Sequence, residues 1–502
     1  MAMTPNWCSV IPQRWVYVSL AFVALVIGNA TRSVLPITIT EMVVPIREAS
    51  DNHTRDKCFR PESHVLDRVP ASTDSLYDWT EYTQGVILSS IFWVYGPMQI
   101  VYGPLIERFG AKYFMAQAVF VPSLMTFLTP WIIDQGGTTA LIIARFVMGA
   151  SSSALFPAVS SMTPHWTTPQ DRSRIGSFIC AGFNLGPVFG TVGPALIIKY
   201  SGHSWPAVFY VFGAIGMLWL PFWLLLCYNN SDEHPFVGEL ERKYLQESQR
   251  GQVSRKPPPP PYRQILRSKQ FWAFAIALLG YDWALFLLSS DLNKFMKNVI
   301  GLPIDKNGYV SALPYLCIWL NSLLTSWLMD RILARTAMSV TSVKKSFGVV
   351  ATIGPSLFIV GASYAGCDAN LVSASFVVGM TLMGCGYVSI VTNNLDLSPN
   401  YASTLVSIAN AVAGIGGIVS PYLVGVLTPN QTIGEWRLVF WIGFAVTVLT
   451  NLFYLRYASG KVQSWNDRDA VEPVEFEMVL RSREDGKTRG INERRGAISP
   501  YL

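Results

Sequence analysis

The sequence predicts an all-α membrane protein of twelve transmembrane helices in two six-helix bundles. Three observations lead there. Of 502 residues, 51% are hydrophobic and 14% charged, where soluble domains carry roughly 25% charge. Apolar runs of roughly 20 residues recur along the chain, the length a helix needs to cross about 30 Å of hydrocarbon. A polar segment of about 40 residues divides those runs into six and six.

The first run, near 15–43, is too long and lacks the small-residue cleavage site of a signal peptide, so it is expected to stay as the first membrane helix. A large polar loop at 44–82 follows. Runs near 83–106, 112–134, 138–163, 174–199 and 205–228 complete the first bundle, residues 15–228. The linker, 229–269, places Glu239, Glu241, Arg242, Lys243 and Glu247 at helical spacing, then the extended run Pro257 to Pro261. Runs near 270–297, 308–330, 345–364, 370–395, 401–427 and 435–457 form the second bundle, 270–458. Pro36, Pro97, Pro187 and Pro421 read as kinks, and Gly414, Gly416 and Gly417 as points of close helix contact. Short termini, 1–14 and the charged 459–502, flank the whole, and the latter reads as disordered.

The net charge of +6 is informative by location. Arg242, Lys243, Arg250, Arg255, Lys256, Arg263, Arg267 and Lys269 crowd the linker. Arg331, Arg335, Lys344 and Lys345 crowd the 331–345 connection, and more basic residues lie in the tail. By the positive-inside rule these segments face the cytoplasm, and an even number of spans puts both termini there. Nucleic acid is not needed as a partner to explain them. The 44–82 loop then faces outside or into a lumen, with a glycosylation sequon at Asn52 and another at Asn430 on the same side. The seven cysteines form neither a disulfide framework nor a metal site; Cys58 and Cys367 share the non-cytoplasmic side and could bridge or stay as thiols.

A duplication shows in the connections after the second and eighth spans. One reads Gly103-Pro-Leu-Ile-Glu107-Arg108-Phe-Gly110-Ala-Lys112, the other Ser326-Trp-Leu-Met-Asp330-Arg331. The small residue lets two helices approach, and the acid can cap or pair with a neighbouring helix terminus, closing the cytoplasmic side. With the 6+6 layout, this signature resembles the major facilitator superfamily. Phe92-Trp93-Val-Tyr95, Phe156-Pro157-Ala158, Phe209-Tyr210-Val-Phe-Gly213, His234-Pro235, Glu241-Arg242-Lys-Tyr244 and Asn393-Asn394-Leu-Asp396-Leu-Ser-Pro399-Asn-Tyr401 narrow it further. In order and spacing they resemble the anion transporter family of sialin, the vesicular glutamate and nucleotide transporters and the type I sodium-phosphate cotransporters. The resemblance runs from about residue 15 to 466.

A carrier of anions needs positive charge part-way across the membrane, where inserting it costs about 2.5–3.5 kcal/mol. Two arginines stand in apolar surroundings, Arg32 and Arg145. The resemblance puts Arg32 at the family's substrate-binding arginine, and its planar fork suits carboxylate or phosphate. Arg145 also matches a family arginine and could contact substrate or pair internally. Seven residues later, where proton-driven members often carry a glutamate, stands Ser152, which puts simple proton coupling by the fourth span in doubt. In the seventh span Asp282 lies between Tyr281 and Trp283. Three roles stay open for it: a relocated protonation site, a sodium ligand, or a permanent partner of an arginine. Asp291 is expected near the outer mouth in a solvated role. Tyr95, Asn184, Tyr281 and Asn393 could add neutral hydrogen bonds around an anion. Leu88 and Asn394 stand where glutamate transporters carry histidines, which points away from glutamate.

The reading is a secondary active transporter of organic or inorganic anions by alternating access, with H+ or Na+ as coupling ion and no cofactor. An anion conductance through the same path is the alternative. No phosphate-binding glycine loop supports ATP drive, and no spacing supports an enzyme. The resemblance implies a monomer, in the plasma membrane or a lysosomal or vesicular one.

Overall fold

The computed structural model describes residues 12–43, 77–202, 204–249, 259–287, 304–366, 368–428 and 432–466. Asn52, Asn430, Cys58, Cys367 and Asp291 lie outside the described residues. Helices α1 (Gln13–Met42), α2 (Glu81–Phe109), α3 (Lys112–Ser152), α4 (Leu155–Trp166), α5 (Arg172–Tyr200) and α6 (Pro206–Leu226) build the first half. Two short linker helices follow, α7 (Glu239–Ser248) and α8 (Tyr262–Arg267). The second half contains α9 (Lys269–Phe286), α10 (Ile304–Arg335), α11 (Val340–Ala362), α12 (Ala369–Met383), a π-helical turn (Tyr387–Val391), α13 (Asn393–Leu397), α14 (Ala402–Leu427) and α15 (Ile433–Tyr457).

Polar caps set several helix starts. Thr80, Ser268, Ser339 and Asp368 accept from the first free N–H groups of α2, α9, α11 and α12, and Thr432 with Glu435 forms a reciprocal capping box on α15. Inside the membrane runs, helix is the one open-ended form that satisfies every backbone group without water.

Ten helical tracts among the described residues are long and apolar enough to cross a membrane. One of them, Lys112–Trp166, has 55 residues and serves as two spans. It turns at Gly137, whose φ of 58° and ψ of −151° suit glycine alone. The 18-residue α9 opens the second half, and residues 288–303 lie outside the described residues. Two sequence expectations are corrected in detail. The run 138–163 holds a turn at Ser153 and Ala154, which separates α3 from α4 while both residues keep right-handed helical backbone angles. The run 370–395 passes through the π turn, which sets the following residues in a new register.

The packing repeats between halves. Helix α1 lies along α5 as α9 lies along α14; α3 pairs with α6 as α11 with α15; α2 touches α4 as α10 touches α12. The halves meet through α2 against α14 and α5 against α10, which is again one contact seen twice. This is the pseudo-twofold arrangement of a duplicated transporter fold.

Candidate functional site

Arg32 owes its position to close packing of α1 on α5. Gly182, Gly186 and Gly190 recur every fourth residue on α5, and a Cβ at each would stand 2.6–2.8 Å from Phe22, Asn29, Ala30 or Ser33 of α1. Side-chain-free contact of this kind suits helices in lipid, where close van der Waals packing drives association. The Asn29 amide nitrogen then donates to the Phe183 carbonyl at 2.7 Å, locking the pair. One turn further, the Arg32 guanidinium sits 4.8 Å from the Tyr95 ring centre, 5.0 Å from Phe92 and 6.0 Å from Phe183. The three ring faces hold the cation electrostatically. Arg32, Phe92, Tyr95 and Phe183 all remain partly exposed. Among the described residues Arg32 forms no ion pair.

Arg145 is 3% exposed and also has no carboxylate partner among the described residues. Its Nη2 donates to the Leu88 carbonyl at 3.4 Å, a long bond, and its Nε has no acceptor. It lies within electrostatic range of Arg32. Two like charges thus share one region without a counter-ion. Ser152 adds no charge, since its hydroxyl donates to Gly149 of its own helix at 3.3 Å.

Across the interface stands Asp282, on α9. It is partly exposed and has no arginine within ion-pairing distance among the described residues, so permanent pairing is not its state here. The hydroxyls of Tyr95 and Tyr387 both lie in its electrostatic surroundings. Tyr281 is placed differently from expectation. It is 2% exposed, its hydroxyl donates to the Met383 carbonyl at 3.1 Å, and its ring meets Tyr387 edge-on at 6.4 Å. That donor is occupied, so the residue works as a brace of the site. Asn184 is 2% exposed beside Tyr387, with its amide nitrogen lacking an acceptor. Asn393 is fully buried at the start of α13, next to Thr392, whose hydroxyl lies 3.4 Å from that of Ser173. Both of its amide atoms lack partners.

The end of the bundles that carries the linker is closed by polar contacts. The Glu107 carboxylate accepts from the Thr404 backbone N–H at 2.8 Å and its hydroxyl at 2.7 Å, capping α14 from α2. Gly103 permits this approach, because a Cβ there would stand 2.6 Å from Ser407 Oγ and 3.2 Å from the Thr404 backbone. Asp330 pairs with Arg174 of α5 at 3.3 Å, while Arg108 and Arg331 lie over Phe109 and Trp327. Asn394 Nδ2 donates to Ser160 Oγ at 3.1 Å. The hydrogen bonds that join the two halves through Gly103, Glu107, Ser160, Ser173, Arg174 and Ser177 all lie at or towards this end. The linker fastens here too: Glu241 of α7 accepts from the backbone of Gln13 and Arg14, at 2.9 and 3.1 Å, and so caps α1. Burial pushes the His234 pKa down, keeping a neutral ring that accepts from the Phe236 N–H at 3.1 Å. Lys344 of α11 pairs with Asp396 of α13 at the same end.

Sequence reasoning missed Phe183 and Tyr387 as parts of the site and Thr404 and Arg174 as gate partners. Phe183 had a legible signal, its place within the glycine repeat of α5. Tyr387 had none, since the π turn that aims it has no sequence signature.

Residues 17–421 match the Major Facilitator Superfamily. Human sialin is 33% identical over 92% of this chain and 92% of its own. A Drosophila ananassae protein provisionally named an inorganic phosphate cotransporter is 32% identical over 88% of this chain and 93% of its own. Vesicular glutamate transporter 3 of Danio rerio is 29% identical over 92% and 75% respectively. Among solved structures, the E. coli fucose:proton symporter FucP superposes with a TM-score of 0.57 at 13% identity, covering 88% of this chain and 99% of the symporter. Common descent over nearly the whole length and a shared fold lead to one conclusion: the chain belongs to the Major Facilitator Superfamily, among the relatives of sialin and the vesicular glutamate transporters, and is a multi-pass membrane transporter, not an enzyme.

Proposed function

We propose that the protein is a secondary carrier of small anions, coupled to protons at Asp282, with Arg32 and Arg145 as the anion-binding cations. One observation carries this reading: two arginines lie within electrostatic range of each other in a membrane-spanning bundle, with no acid to neutralise them among the described residues. Burial of unpaired charge is costly. An arriving anion relieves both the desolvation and the mutual repulsion, so binding lets the site close. The aromatic faces around Arg32 leave its N–H edge for a carboxylate or phosphate. The names of the relatives, sialin, glutamate transporter and phosphate cotransporter, are compatible with that choice.

A proton suits Asp282 better than sodium. The groups around it are phenol hydroxyls, and no cluster of three or more acids, histidines or cysteines occurs among the described residues. A hard cation needs several oxygen ligands at once. The linker end is taken as cytoplasmic from its basic residues, which makes this conformation closed to the cytoplasm. A monomer with two rocking bundles, residues 15–228 and 270–458, then alternates access around Arg32. On the other face, Asn52 and Asn430 are the proposed glycan acceptors and Cys58 with Cys367 the proposed bridge.

The test is uptake of labelled phosphate, urate, glutamate, sialic acid, glucuronate and ATP into proteoliposomes, with a proton gradient, a sodium gradient and a membrane potential imposed separately. Saturable uptake with counterflow, driven by protons and abolished in Arg32→Ala, is expected. No anion moving above the Arg32→Ala level overturns the carrier reading. Accumulation that follows sodium alone overturns the proton assignment.

A further inference from the structure

We propose that Tyr387 is the positioning residue that carries the charge state of Asp282 across the interface between the two bundles. The inference rests on the reading of Asp282 as the coupling acid. Tyr387 opens the π-helical turn, Tyr387–Val391, and such turns redirect a side chain and free a carbonyl from the helical ladder. Its carbonyl accepts from Thr392 Oγ1 at 2.9 Å and, across the interface, from Ser177 Oγ of α5 at 3.2 Å. Its side chain interacts with Asn184, again on α5, with Tyr281, and electrostatically with Asp282. Ser177 Oγ shares its proton with the Ser173 carbonyl at 2.7 Å, so the bond to Tyr387 is its longer branch. One residue of the second bundle therefore reaches α5 of the first by backbone and side chain together, with Asp282 in electrostatic range.

Its surroundings are built to keep it there. Tyr281 is pinned by Met383 and meets the Tyr387 ring edge-on, with an interplanar angle of 90°. Gly386 leaves room for this, since a Cβ there would stand 2.3 Å from the Tyr281 ring. The other groups facing Asp282 are few. From α2 comes Tyr95, with Arg32 beside it. Helix α14, packed along α9, has no charged residue between 402 and 427. On α15 the charges Glu435, Arg437 and Arg456 stand at the two ends, and on α11 Lys344, paired with Asp396, and Lys345 stand in the first two turns.

The phenol has one proton to donate. When Asp282 is ionised, the Tyr387 hydroxyl is drawn toward the carboxylate. When a proton from water on the open side neutralises Asp282, that carboxyl can itself donate, and the Tyr387 oxygen is released to accept from Asn184 Nδ2 on α5. The Asn184 amide nitrogen, buried without an acceptor, shows that this network is incomplete in the present state. Protonation thus alters how firmly α5 is held to the second bundle.

Tyr387→Phe keeps the ring and both carbonyl bonds and removes only the hydroxyl. In proteoliposomes, proton-driven accumulation and gradient-free exchange of the same anion would be measured across pH, with KM and thermal unfolding recorded. The expected result is a fall of about tenfold in the ratio of driven accumulation to exchange, a shifted pH midpoint for accumulation, and an unchanged Tm. Asn184→Ala, which removes the other end of the same bond, is expected to change the ratio in the same direction. A raised KM with an unchanged ratio makes Tyr387 a substrate contact and overturns the inference, as does an equal loss of both activities with a lowered Tm. Asp282→Asn separates the two failures. If that variant still accumulates anion on a proton gradient, the coupling reading itself falls. If it does not, and Tyr387→Phe behaves like the parent, only the role of Tyr387 falls.

Discussion

After α2, the acid of the duplicated turn, Glu107, takes both the backbone N–H and the hydroxyl of Thr404 from within the helix interface. After α10, the acid at the equivalent place, Asp330, reaches only Arg174, with the two side chains 42% and 54% exposed. One motif thus makes a sheltered two-bond cap in one copy and a solvated ion pair in the other. Each hydrogen bond in a sheltered place contributes about 0.5–1.5 kcal/mol, and leaving the freed donors buried without a partner costs more. An exposed ion pair contributes roughly 0.2–1 kcal/mol, and salt screens it. Repetition in sequence therefore marks equivalent positions in the topology without implying equal weight in the energetics. Most of the closure at the linker end should rest on the α2–α14 seam.

Substitutions at the two seams can break or sharpen that contrast. The largest effect is expected from Gly103→Val, because the Thr404 backbone and Ser407 stand where its branched side chain would go. Helices α2 and α14 should then fail to close, with turnover falling by more than about tenfold and a longer distance between spin labels at the linker ends of these helices. Glu107→Ala comes next. Loss of both bonds to Thr404 should favour the opened state by about 2 kcal/mol, a population shift of roughly 30-fold readable in the same distance distribution. Thr404→Val removes only the hydroxyl bond and keeps the backbone cap, so about 1 kcal/mol is expected. Asp330→Asn should be the mildest, at most about 1 kcal/mol, and its effect should vanish at high salt. Should Asp330→Asn open the linker end more than Glu107→Ala does, the asymmetry between seams would be wrong.

The same contrast explains how much was legible beforehand. The membrane-spanning runs, the division at the linker and the duplicated turn follow from apolar run length and local motif, which act over a few residues and need no partner. Helix α7 was legible for the same reason, from the spacing of Glu239, Glu241, Arg242, Lys243 and Glu247. Tyr281 shows the limit. Its neighbours in sequence suggested a ligand for the anion, but whether its hydroxyl was free depended on Met383, about a hundred positions away, and on the space left by Gly386. Likewise, the single helix expected over 138–163 is interrupted at Ser153 and Ala154, at the end of the run Ser151-Ser152-Ser153 that the overall apolar length absorbed.

By itself, the sequence determined that this chain crosses the membrane many times in two related halves, and that Arg32, Arg145 and Asp282 are charges in apolar surroundings. Hydropathy and residue type suffice for that, because the cost of a charge in hydrocarbon does not depend on which helix lies alongside. Only the tertiary structure decided which charges were neutralised. It gave Arg32 three aromatic faces in place of a carboxylate, left Arg145 with a long bond to Leu88, kept Asp282 apart from both, and brought Tyr387 to α5 through a π turn. The partners lie on other helices, and their distances are set by glycine contacts and a helical register that no local pattern encodes.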